Sequence, residues 1–181
     1  MKRIALLFLS ILFFMQAYSQ VYTSQTGQIS FFSTARLENI EATSNKCGVV
    51  INTTTGEVFC KVLITSFVFK NGLMQEHFNE TYMESEKYPD AQFKGKINET
   101  INMTTPGQYK VTVTGTLTIH GIAVQRTIAG TLFIAAGTVS LSSDFMVPVS
   151  AHKIAIPNDK LSNIAQDINV RIHADCKPYV K

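Results

Sequence analysis

Alternation with a period of two dominates this chain and leaves few folds open. In residues 110–120, Val111, Val113, Gly115, Leu117 and Ile119 share one face while Thr112, Thr114, Thr116 and Thr118 share the other. Side chains on a strand point alternately to opposite sides, so this segment has one dry face and one wet face. His120-Gly121 supplies a tight turn into residues 123–135, where Val124, Ile128, Leu132 and Ile134 lie on one face with Arg126 and Gly130. The two segments read as a long hairpin. The pattern recurs in Val139, Leu141, Phe145 and Val147 against Ser140, Ser142 and Asp144, and in Ile168, Val170, Ile172 and Ala174 against Asp167, Asn169, Arg171 and His173. Phe93 and Ile97 repeat it against Lys94 and Lys96.

Two stretches depart from this pattern. Residues 57–70 are apolar on both faces, with Val58, Cys60, Val62, Ile64 and Val68 on one and Phe59, Leu63, Phe67 and Phe69 on the other. Either a second element covers the outer face or the strand bends so that its ends bury different faces. Residues 73–84 place Met74, Phe78 and Tyr82 at spacings of four, the signature of a short amphipathic helix, with Asn71 as its N-cap and Tyr88-Pro89 forcing an extended chain beyond it. A weaker helical turn is expected over residues 158–164, after Pro157-Asn158-Asp159.

The fold class is therefore all-β and antiparallel, with roughly eight to ten strands and one or two short helices, as in a closed barrel or a two-sheet sandwich. Closure is preferred, because long strands with one apolar side would leave a wide exposed edge in an open sheet. An eight-stranded barrel can fill its interior with side chains or hold one ligand there, and alternation is consistent with both.

Met1-Lys2-Arg3, an apolar run over residues 4–15 and the small-residue pattern Ala17-Tyr18-Ser19 have the layout of a secretory signal peptide. Cleavage is expected after Ser19, giving a signal over residues 1–19, one domain over 20–181, and an exported, periplasmic or secreted protein. The run is short of the ~18–20 residues of a spanning helix, so no stable membrane insertion is expected after cleavage. The formal net charge of +3 falls to +1 without Lys2 and Arg3, and the other basic residues are scattered. Nothing in that distribution implies nucleic acid. Cys47, Cys60 and Cys176 are an odd number for an oxidising compartment, so at least one is free or pairs between chains. Cys47 and Cys60 flank a turn at residues 53–56, but counting outward sets Cys47 nearer Lys61 or Val62, and a disulfide there requires a register irregularity.

Met74-Gln75-Glu76-His77-Phe78, then Tyr82-Met83-Glu84-Ser85-Glu86-Lys87-Tyr88-Pro89 and Ala91-Gln92-Phe93-Lys94-Gly95, resemble the YceI-like family of exported bacterial proteins. Gly115-Thr116-Leu117-Thr118-Ile119-His120-Gly121 is similar to that family's G-x-L-x-I-x-G hairpin, and Gly27-Gln28-Ile29-Ser30-Phe31 and Phe67-Val68-Phe69 also fit. The resemblance spans nearly all of the mature chain. It implies a lipocalin-like barrel with the helix near one end, and an interior that holds a polyisoprenoid or a similar, fatty-acid-like lipid.

On that reading the ligand-binding candidates are Phe31, Phe67, Phe69, Met74, Phe78, Tyr82, Phe93, Leu117, Ile119, Ile128, Leu132, Phe145 and Val170, with ordinary core packing the competing role for each. Met74 offers an adaptable thioether and Tyr82 a polar tip at the mouth. Arg126, on the face of Ile128 and Leu132, either snorkels out at the rim or meets a ligand head group. No catalytic or metal-ligand pattern emerges: His77, His120, His152 and His173 make no H-E-x-x-H, and no G-x-S-x-G or phosphate-cradling loop is present. A scattered Ser-His-Asp set could still converge in space. The expected partner is an apolar small molecule, with no cofactor, and a homodimer is left open. The alternative function is a filled barrel that acts through its surface as an interaction or envelope stress protein. The sequons at Asn52, Asn79, Asn98 and Asn102 would carry glycans only in a eukaryotic secretory route, which the resemblance argues against.

Overall fold

A computed structural model describes residues 21–34, 39–157 and 164–180. The proposed signal peptide and the helical turn expected at 158–164 fall almost wholly outside them. The alternating segments form β1 (Val21–Ser33), β2 (Ile40–Asn52), β3 (Glu57–Leu63), β4 (Val68–Phe69), β5 (Asp90–Ile97), β6 (Gly107–Ile119), β7 (Ile122–Ala135), β8 (Thr138–Pro148) and β9 (Asp167–Pro178), with one short helix, α1 (Gly72–His77), between β4 and β5. Every pairing is antiparallel, in the order β1-β9-β8-β7-β6-β5-β3-β2, and β1 also pairs with β2. That double pairing closes eight strands into a barrel. The ninth, β4, adds only Ala42 opposite Phe69 and Thr43 opposite Val68.

Turn chemistry sets the register. His120 (φ 51°) and Gly121 (φ 70°) both take the left-handed conformation that a two-residue hairpin turn needs, and β6 and β7 pair without interruption from Ile119 opposite Ile122 to Gly107 opposite Ile134. At the β2–β3 turn the Asn52 side-chain oxygen accepts from the amides of Thr54 and Thr55, and Gly56 (φ 73°) completes the reversal. The register beyond it is regular, with Val49 opposite Cys60, and Cys47, Cys60 and Cys176 are all free thiols. Gly48 opposite Lys61 leaves Cys47 beyond reach of Cys60 in a regular register, as the count outward from the turn gives, and the irregularity that a disulfide would require is absent.

The segment apolar on both faces resolves by bending. β3 buries Val58 and Val62 toward the barrel axis, a 3-10 turn at Ile64–Ser66 breaks the strand, and Phe67 and Phe69 then turn inward while Leu63 and Val68 stay exposed. Between β5 and β6 two glycines face each other, Gly95 opposite Gly115. A Cβ on Gly115 would collide with the Lys94 carbonyl and the Gly95 Cα, so the close approach of these strands requires glycine.

One wall is incomplete. β7 pairs with β8 only from Ala135 opposite Thr138 to Thr131 opposite Ser142, and above that level the backbone ladder stops. Three side chains bridge the two strands where the ladder is missing. Ser143 Oγ donates to the Ala129 carbonyl (2.6 Å), Arg126 Nη2 to the Met146 carbonyl (2.7 Å), and His152 Nδ1 to the Ile122 carbonyl (3.0 Å). His152 sits in a 3-10 turn, Val149–His152, that follows β8, and it is wholly buried with its Nε2 unpartnered. Burial pushes its imidazole below the usual histidine range, against the pull of the Ile122 carbonyl, and the Arg126 charge adds to the push.

Gly115→Ala is expected to cost about 1–3 kcal/mol in urea unfolding through overpacking. Gly72→Ala, where nothing lies within 4 Å of a new Cβ, should be neutral or slightly stabilising. For His152 the unfolded chain takes up the proton first, so its contribution is complete above pH 6.5 and is lost as pH falls toward the depressed folded value. Thermal melts between pH 7 and pH 5 should therefore lose stability more steeply for the wild type than for His152→Gln, and equal slopes would remove His152 from that role.

Candidate functional site

Burial along the inward faces is uneven, and the half-buried side chains fall in the upper part of the barrel. On β9, Cys176 and Ala174 are 0% and 1% exposed and Ile172 8%, while Val170 and Ile168 above them are only half-buried. On β8, Val139 and Leu141 are buried, Phe145 above them is half-buried, and Val147 beyond it is buried again at the rim. Inward-pointing side chains can be partly accessible only if the space before them is hollow. The lower barrel, where Val49, Ile51, Val111, Leu132, Ile134 and Val139 meet, is solid core. The upper barrel encloses a cavity of about 500 Å³.

α1 forms the roof, and its placement follows from local sequence. The Asn71 side chain accepts from the amides of Leu73 and Met74 and starts the helix, and a π-helical turn, Phe78–Tyr82, extends it. The turn lowers Phe78 into a cup of three other rings, with centroids 5.3 Å from Phe31, 5.8 Å from Phe67 and 5.0 Å from Phe69. Such tilted and offset contacts contribute about 0.5–1.5 kcal/mol each beyond the area they bury. Both ends of the roof are moored. Gln75 Oε1 accepts from the Phe69 amide, and beyond Met83 the Glu84 carboxylate meets His120 Nε2 at 2.7 Å while Tyr88 packs against the His120 ring.

Twelve of the fourteen residues singled out from the sequence lie on the cavity surface. Phe31, Phe67, Phe69, Met74, Phe78 and Tyr82 form the roof and its cup, and Phe93, Leu117, Ile119, Ile128, Phe145 and Val170 the walls. Leu132 does not belong with them; 0% exposed, it is part of the solid lower core. Arg126 does not either. It shares the face of Ile128, but its guanidinium turns sideways to the Met146 carbonyl in the gap between β7 and β8. Residues missed from the sequence include Met83 in the roof and Val149, Ile154, Ile156 and Ile164 after β8, which complete the upper rim. Ile154 and Ile156 alternate, but a run that brief carries little periodic signal.

The cavity wall is overwhelmingly apolar. Its polar members gather near the roof, among them His77, Lys61 and Gln92. Lys61 Nζ and Gln92 Nε2 both reach the Asp90 carboxylate, at 2.9 Å and 2.6 Å. Partial burial alone would raise that carboxyl's pKa, but these two partners outweigh it and hold it below the ordinary range.

Cys60 faces the hollow, and Cys47 and Cys176 are buried nearby. Burial pushes the Cys47 thiol up to about 11 and Cys176 to about 12, and raises Cys60 as well. The reactive thiolate is therefore scarce at all three, which lets an odd number of thiols persist unpaired.

A Ser-His-Asp set does converge, on the outside of the barrel. Ser142 Oγ lies 2.8 Å from His173 Nδ1, and His173 Nε2 lies 3.6 Å from Asp175. The hydroxyl occupies the nitrogen that the orienting carboxylate takes in a hydrolytic triad, and over half of both the His173 and Asp175 side chains is in solvent. These residues are successive cross-strand rungs, Ser140 opposite Asp175, Ser142 opposite His173 and Asp144 opposite Arg171. They act as a polar ladder between β8 and β9. Among the described residues no His, Cys, Asp and Glu cluster could hold a metal ion, and no helix is long and apolar enough to cross a membrane.

The same barrel occurs in solved structures. A polyisoprenoid binding domain from Saccharophagus degradans, implicated in plant cell wall breakdown, superposes with a TM-score of 0.75 at 12% identity, over 89% of this chain and 99% of that one. BcnA of Burkholderia cenocepacia superposes with a TM-score of 0.69 at 19% identity, over 82% and 95%. The Campylobacter jejuni YceI protein gives 0.60 at 21%, over 75% and 81%. No curated protein sequence matches the chain. Residues 13–176 match the YceI-like domain, and the chain belongs to the YceI-like family.

Proposed function

We propose that this protein binds an apolar, lipid-like molecule in the upper barrel, and so sequesters or transports it outside the cytoplasm. The observation that carries the reading is the apolar cavity itself, lined by Phe93, Leu117, Ile128, Phe145 and Val170 above a close-packed lower core. Each methylene taken from water into such a space contributes roughly 0.8 kcal/mol, so about ten of them offset the usual costs of association. The binding named for the Saccharophagus degradans domain supports a polyisoprenoid or a related chain as the occupant. Export is supported by the signal-like segment Lys2-Arg3, the apolar run after it and Ala17-Tyr18-Ser19. A purely surface role gives the hollow no purpose, since filling it with larger side chains would stabilise the barrel.

Native mass spectrometry after gentle purification is expected to find a co-purified apolar molecule or uptake of an added fluorescent isoprenoid. A clean apo mass with no uptake would sink the reading. Met74→Glu places a charge among the roof residues and should abolish uptake at a cost of less than about 1.5 kcal/mol in stability. Phe93→Asp, in a wall strand, should cost more than about 3 kcal/mol with or without ligand. Met74→Glu with unchanged uptake would place the entrance elsewhere.

A further inference from the structure

The elements that frame the gap in the barrel wall are short of acid. β7, β8 and the Val149–His152 turn carry two basic side chains, Arg126 and His152, and one carboxylate, Asp144. Asp144 is exposed and committed to Arg171 Nε (2.8 Å) and Asn169 Nδ2 on β9. Arg126 is half-buried and makes one hydrogen bond, from Nη2 to the Met146 carbonyl. Among the described residues no carboxylate pairs with it. A cation withdrawn from water calls for an anion, and a single backbone carbonyl leaves its charge and most of its N–H groups unanswered.

We infer that the gap between β7 and β8 is a head-group site, where Arg126 takes the carboxylate or phosphate of an amphiphile whose apolar tail lies in the hollow. This rests on the reading of an apolar-ligand protein and adds where, and by what, the polar end is bound.

Position favours the gap. The carbonyl that Arg126 holds belongs to Met146, and Phe145 and Val147 on either side of it line the hollow, as does Ile128 two residues along β7. A head group at Arg126 therefore has its first tail carbons at the cavity wall. Just below, Ala129, Gly130 and Ser143 border both the hollow and a groove lined by Thr112, Arg171 and His173 on the outer face. Only backbone and small side chains separate the two spaces there. Because the β7–β8 ladder is missing on this stretch, an anion can enter without breaking strand hydrogen bonds. The roof end offers less, since Lys61, the lysine that lines the hollow there, is already neutralised by Asp90 at 2.9 Å.

Chemistry selects the head group. A guanidinium presents a planar fork that matches a carboxylate or a phosphate in two parallel bonds, and an anion on its free edge leaves the Met146 bond in place. A hydroxyl accepts one weaker bond and leaves the charge uncompensated.

Displacement of a neutral fluorescent isoprenoid alcohol from the purified full-length chain at pH 8 tests the site, with hexadecanoic acid, hexadecyl phosphate and hexadecanol as monomeric competitors. At least one of the two anions should bind about tenfold or more tighter than the alcohol, and the tighter one identifies a fatty acid or a phosphorylated lipid as the source of the head group. Arg126→Met should bring that ratio to within about twofold and leave the alcohol's affinity within about twofold of the wild type. Arg126→Gln keeps a donor for the Met146 carbonyl, serves if Arg126→Met does not fold, and should lose the ratio in the same way. Equal binding of anions and alcohol by the wild type overturns the head-group site. A preference for anions that survives both substitutions overturns its assignment to Arg126. Binding of neither the probe nor any competitor overturns the apolar-ligand reading itself, a distinct result.

Discussion

An interior exists in this molecule because β1 pairs with both β2 and β9. Without that closure the alternating strands would make a curled sheet whose apolar face needed a second layer, and the described residues offer one short α-helix for it. With closure, each strand's dry side faces the same narrow space. The glycine pair at Gly95 and Gly115 and the bend after β3 adjust that ring so that it can close at one end and open at the other.

The ring then divides by height. Below, Val49, Ile51, Val111, Leu132 and Cys176 meet at the axis and fill it, which supplies the packing that stabilises the domain. Above, the strands carry side chains that leave the axis empty, and the aromatic cup around Phe78 closes the space from the roof. The solid half holds the strands in place for the hollow half. A domain of this size can leave part of its interior unfilled only because another part is complete.

Much of this was legible in the sequence, because it is written in faces and turns. Period-two alternation identified β6 to β9, His120-Gly121 set the hairpin, and the four-residue spacing with Asn71 located the roof. Height along the barrel was not legible. Leu132 and Ile128 have the same face and the same chemistry, yet one is core and the other cavity wall, because level depends on how eight strands are staggered around a ring. Arg126 failed for a related reason. Its face was read correctly, but its partner is a backbone carbonyl exposed by a missing ladder, and no single strand encodes a gap between two. The isoleucines after β8 belong to a segment too brief and irregular to carry a period.

The interrupted ladder between β7 and β8 leaves the upper end of that seam with fewer bonds to break than the lower end. Below Thr131 and Ser142 the β6–β7, β7–β8 and β8–β9 ladders are all present, so exchange of those amides is expected to need a larger opening. Above that level β2 gains β4 as a second partner, whereas between β7 and β8 the side-chain bonds of Ser143, Arg126 and His152 stand in for the ladder. Breaking three such bonds is a sub-global event, well short of the free energy of the whole domain. Local opening is therefore expected to begin at this seam, in the hollow half and not in the solid one.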